Sequence, residues 1–91
     1  MTSTVPILDM TPLGHYADGS PRYRFSTSFP SRGVRVVGDV WEDPAVALSI
    51  GASAVREYEA RDPYGNMGQV CGVTAVEGGY RAVICTYHSN T

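Results

Sequence analysis

Only one stretch of this chain carries apolar residues at a helix's spacing, "EDPAVALSIGASAV" at 42–55, so a single helix has to cover whatever sheet the rest supplies. Asp43 stands where an N-cap accepts a hydrogen bond from a free backbone amide. Pro44 at the first helical position gives up no donor that the helix needs. The spacing predicts a helix over 44–60. Ala47, Leu48, Gly51, Ala52, Ala54, Val55 and Tyr58 gather on one side, with Ser49, Ser53, Arg56 and Glu57 mostly opposite. Pro63 disfavours helical geometry at Asp62, so "RDPYGN" at 61–66 ends the element.

Gly51 sits in the middle of the apolar stripe, where glycine costs about 1 kcal/mol against alanine. What the small face gains is close approach. The helix either lies tightly on its own sheet or meets a second subunit. The first is expected, because a lone helix must cover the sheet for any core to exist.

The remaining chain reads as β-structure. Residues 4–10, "TVPILDM", read as a short strand or extended arm, and Pro6, without an amide donor, favours an edge. "PLGHYADGSP" at 12–21 is turn-rich and reads as irregular, so 1–21 is expected to be a loop-rich arm. "RYRFSTSF" at 22–29 alternates, with Tyr23, Phe25, Thr27 and Phe29 on one side and Arg22, Arg24, Ser26 and Ser28 on the other. With the turn "PSRG" and the run "VRVVGDVW" at 34–41, it predicts a hairpin over 22–41.

A second hairpin is expected over 69–87, turning at Gly78–Gly79. That register sets Cys71 opposite Thr86 and Cys85 opposite Gly72, with the thiols on different faces. A three-residue loop, Glu77 to Gly79, would instead set Cys71 opposite Cys85. The expected fold class is α+β: one domain over 1–91, an antiparallel sheet of about four strands in two hairpins, and one helix packed on one face.

Composition excludes some functions. A net charge of −2 supplies no broad basic field, so nucleic-acid binding is not expected. In "RYRF", alternation separates Tyr23 from the two arginines, so stacking and charge share no surface. No run approaches the roughly 18 apolar residues of a membrane helix. "MTSTVPILDM" lacks the basic and apolar segments of a signal peptide, and a cytoplasmic location in a bacterial host cell is expected. All 7 basic residues are arginine, which fits GC-rich coding or selection for bidentate contacts.

Chemical motifs are sparse. There is no Walker loop, no GxGxxG and no HExxH, and "DPYGN" lacks a calcium loop's alternating ligands. Cys71 and Cys85 form no C-x-x-C, and with His15 and His88 they lack zinc-finger spacing. Cys85 and His88 lie three apart on a strand, on opposite faces, which is wrong for a nucleophile and its base. No catalytic residue, cofactor or metal is expected, and the chain is not read as an enzyme.

Carboxylates cluster at the helix start (Asp39, Glu42, Asp43) and around its end (Glu57, Glu59, Asp62). One reading is dipole matching and a solvated face. The other is an acidic surface for a basic protein partner, with aromatic anchors beside it. On that reading the candidate partner-binding residues are Asp39, Trp41, Glu42, Asp43, Glu59, Asp62 and Tyr64.

From Val34 to Tyr87 the order is a strand, an Asp-capped alanine-rich helix, then a strand pair. This is similar in size and layout to some anti-CRISPR proteins, among the small α+β proteins of phages and mobile elements. The resemblance implies a non-enzymatic inhibitor that binds a CRISPR effector subunit and blocks access to DNA, its acidic clusters occupying sites meant for phosphate. The nearly neutral total charge stands against strong DNA mimicry. The alternative is a structural or assembly subunit, a homodimer joined through a sheet edge or the small-residue helix face.

Overall fold

The expected helix forms over Pro44–Arg61 (α1), with Asp43 as N-cap and Pro44 in its first turn. The computed structural model describes residues 5–19, 21–25 and 33–89. Among these residues five strands accompany the helix: β1 (Met10–His15), β2 (Pro21–Phe25), β3 (Val34–Trp41), β4 (Asn66–Val76) and β5 (Gly79–His88). They form two antiparallel sheets, β1-β2 and β3-β5-β4, and α1 packs on the three-stranded one. The class is α+β.

β5 is the central strand, and Ala82 through Thr86 are buried without interruption. A strand covered on both faces reads as a continuous apolar run rather than an alternating one. One face carries Ala82 and Ile84 toward α1, which buries Ala47, Gly51 and Val55. The other carries Val83 and Cys85, clustered with Leu8, Val34 and Cys71 and flanked by Met10 and Val36. Val73 and Val83 are fully enclosed. Burying a side chain of that kind is worth about 1.5–3 kcal/mol.

At Gly51 the helix lies close on its sheet. A Cβ built there would lie 2.9 Å from the Ala82 Cβ and 3.3 Å from Val70 Cγ1. The room at Gly51 is taken by the helix's own sheet, so the glycine serves packing within the chain rather than contact with a second subunit.

The N-terminal segment runs along the outer edge of β4. Ile7 bridges Val73 in parallel, Leu8 N–H donates to Val73 O (2.7 Å), and Val73 N–H donates to Pro6 O (2.9 Å). Pro6 contributes only its carbonyl, as an edge residue must.

Three expectations need correction. The described residues of 12–21 are not irregular: β1 pairs with β2, and between them Gly19 N–H donates to Tyr16 O (2.9 Å). The turn holds Asp18-Gly19, a strong hairpin signal. Pro12 and Gly14 are tolerated because a two-stranded ribbon is all edge. Residues 22–41 are not a hairpin, because β2 takes β1 and β3 takes β5. Arg22 and Arg24 are exposed and Tyr23 is half-buried, in keeping with alternation. The rest of that predicted strand and its turn, 26–32, lies outside the described residues.

The third correction is the β4–β5 register. Val76 pairs with Gly79, so the turn is Glu77–Gly78, one residue earlier than expected. Glu77 keeps a negative φ, which excludes type I′. A bulge follows between Val70 and Gly72, leaving Cys71 unpaired. It turns Cys71 onto the face of Cys85, and the two sulfurs lie 2.6 Å apart as buried free thiols.

Candidate functional site

The seven residues expected to bind a partner fall at opposite ends of α1. Asp39, Trp41, Glu42 and Asp43 lie at its N-terminal end; Glu59, Asp62 and Tyr64 lie at or beyond its C-terminal end. Most of α1, a helix of 18 residues with about 1.5 Å of rise for each, separates the two groups. They do not form one patch.

The C-terminal group is largely occupied with structure. Asp62 caps α1 and accepts from His88 Nε2–H at 2.8 Å and from Tyr64 N–H at 3.3 Å. The His88 bond is the main cause that holds the Asp62 carboxyl below the usual carboxylate range; desolvation opposes it and the Tyr64 amide adds to it. Glu59 Oε2 accepts from Gly68 N–H at 3.4 Å, tying the helix to β4. Tyr64 alone is presented outward, 96% exposed. Cys85 and His88 serve different partners, Cys71 and Asp62, and do not meet as a catalytic pair.

The N-terminal group has a different character. Asp43 Oδ1 accepts from Ala45 N–H (2.9 Å), an ordinary cap. Ahead of it, β3 breaks register between Val37 and Trp41, so residues 38–40 face only Arg81 of β5. Arg81 Nε–H donates to Gly38 O at 2.7 Å, and this bond pins the bulge. The extra residues push Val40 and Trp41 outward, 44% and 41% exposed. The β4–β5 turn lies alongside: a Cβ at Gly78 would reach 3.7 Å from Val40 Cγ1. Asp39, Glu42, Asp43 and the turn residue Glu77 are all exposed around this knuckle. Exposed Val40 and Trp41, with exposed carboxylates next to them in sequence and another in the adjoining turn, suit a partner surface that offers an apolar pocket and cations. Sequence reasoning named Asp39, Trp41, Glu42 and Asp43 but missed Val40, and missed Glu77, which comes from a turn far along the chain.

A concavity of about 380 Å³ lies between α1 and β3. Arg35, Glu57, Tyr58 and Arg61 contribute to its walls, with Ile50 and Ile84 beneath. The Arg35 guanidinium stands 5.6 Å from the Tyr58 ring centroid, within cation–π range. Sequence reasoning missed this groove, because nothing in the linear order brings Arg35 to Tyr58. It is an open trough, and among its titratable groups no nucleophile stands beside a base. Among the described residues no three of His, Cys, Asp and Glu converge as metal ligands, and no helix is long and apolar enough to cross a membrane.

The chain matches no protein-family model, no curated protein and no solved structure.

Proposed function

We propose that this is a non-enzymatic binding protein that engages a basic protein surface through the Val40–Trp41 knuckle and its acidic rim. The observation that carries the reading is the β3 bulge, at which Val40 and Trp41 are exposed, with exposed Asp39, Glu42 and Asp43 adjacent in sequence and exposed Glu77 in the adjoining β4–β5 turn. Rigid aromatic anchors concentrate binding energy, and a charged rim sets partner choice and encounter rate. The finer form of the proposal, resting on the layout shared with anti-CRISPR proteins, is inhibition of a CRISPR effector by occupying a surface that otherwise takes DNA.

The alternative, a self-assembling subunit, has one supporting observation: β3 is an edge strand of its sheet. The bulge at 38–40 works against it, since bulges twist an edge away from further pairing.

A photo-crosslinking side chain at position 41, in the producing cell, tests the binding reading. It should join one foreign protein that the same group at Ser53, on α1, does not reach. Crosslinks only to further copies would establish assembly instead. Purified CRISPR effectors then test the finer form: one should lose target-DNA binding, and Trp41→Ala should restore it by roughly 30-fold or more in inhibitor concentration. If every effector binds DNA undisturbed, the inhibitor reading falls.

A further inference from the structure

The β4 bulge places two thiols together in a region that the surface reading does not use. Cys71 and Cys85 are 14 positions apart in sequence, and their sulfurs are 2.6 Å apart. That is about half an ångström beyond a bonded S–S length of about 2.05 Å. Both side chains are buried, in one cluster with Leu8, Val34 and Val83. We infer that Cys71 and Cys85 are a reversible redox pair, closing to an intramolecular disulfide across β4 and β5 when the protein meets a small-molecule disulfide.

The exchange balances without any further reagent. One protein thiolate attacks a sulfur of the small disulfide, forming a mixed disulfide and expelling one small thiolate. The second protein sulfur attacks the protein-side sulfur of that bond and expels the other. Two S–H bonds of the protein are lost and one S–S bond forms. The small disulfide takes the two electrons and, after protonation, leaves as two thiols.

Access and rate follow from the surroundings. Leu8 sits in the cluster that encloses the sulfurs, and its segment is tied to β4 by the Leu8–Val73 and Val73–Pro6 hydrogen bonds. Transient release of those two bonds opens a route to the pair. Burial, reinforced by the neighbouring Cys71, pushes the Cys85 thiol up to about 12. Little thiolate is present there at neutral pH, so closure is slow while the segment is seated and faster as pH rises.

The test uses the reduced full chain. It is incubated folded with oxidised glutathione, then denatured in N-ethylmaleimide and weighed intact. The expected product is monomeric, about 2 Da lighter than the reduced chain, free of glutathione and of maleimide, and restored by dithiothreitol. Cys71→Ser and Cys85→Ser should each fail to give that product. Two maleimide additions on the treated wild type, a glutathione adduct that does not resolve, or a disulfide-linked dimer would each overturn the assignment.

Discussion

Replacing Gly51 with alanine separates two opposed effects by sign. In an isolated helix the change should stabilise by about 1 kcal/mol. Here the new Cβ would lie 2.9 Å from the Ala82 Cβ, an atom fixed to the backbone of the central strand. Restoring an ordinary contact of 3.4 Å or more requires α1 to lift by about 0.5 Å. Such overpacking costs about 1–3 kcal/mol, so after the propensity gain Gly51→Ala should be destabilising by about 1 kcal/mol. That corresponds to a fall in Tm of roughly 4–8 °C for a domain of this size. Gly51→Leu, which adds four carbons at the same place, should cost about 3 kcal/mol or more. Combining Gly51→Ala with Ala82→Gly removes the obstruction, and the pair should show a favourable coupling of about 1–2 kcal/mol in a double-mutant cycle. Guanidinium unfolding followed by far-UV circular dichroism measures wild type and each of these variants, with Ala82→Gly alone completing the cycle. A Gly51→Ala protein that melts above wild type, or a cycle with no coupling, would refute the close-packing argument.

Three further outcomes are expected. Asp43→Ala removes the acceptor for Ala45 N–H and should cost about 0.5–2 kcal/mol in the same unfolding assay; no loss would mean the cap is redundant. Because the folded Asp62 carboxyl is held below its unfolded value, its contribution is present above the unfolded pKa and is lost as pH falls through the folded one. Wild type should therefore lose more urea stability than Asp62→Asn as pH falls from about 5 to 3, and parallel curves would show that the His88 contact is energetically idle. Gly72 has φ +153° and a Cβ there would meet Pro6 O at 2.5 Å, so Gly72→Ala should unseat the Pro6–Leu8 segment. Ellman's reagent should then react with Cys71 and Cys85 several-fold faster, with the helical dichroism unchanged; an equal rate would show that the segment does not guard the thiols.

The helix was fully legible because its signals are local. Asp43, Pro44 and Pro63 act on neighbouring backbone, and a single periodic stripe has one solution. The β4–β5 pair was legible as a hairpin for the same reason. Pairing among the other strands was not, since β3's partner lies beyond the helix and is chosen by burial rather than by a turn. The overlooked cue was the uninterrupted apolar run Ala82–Cys85, the mark of a two-sided central strand. Once β5 is central, β3 can lie beside it, and β2 is left to pair with β1. The candidate site was half legible: Trp41 and its acidic neighbours are adjacent in sequence, but the bulge that displays them depends on Arg81 reaching Gly38 O.

The cysteines show why parity arithmetic fails at a bulge. Counting back from the observed Glu77–Gly78 turn with no insertion would set Cys71 opposite Ile84, toward α1 and away from Cys85. One added residue reverses that parity, because side chains in a strand alternate and an inserted position shifts everything before it. Val70 and Val73 both approach the helix face, so the two residues between them, Cys71 and Gly72, fall together on the other. Cys71 is thereby brought to Cys85, and Gly72, lacking a side chain, leaves the space in which Pro6 O reaches Val73 N–H. A single inserted residue thus both pairs the thiols and seats the segment that covers them. Their chemistry and that cover should change together whenever the bulge is altered.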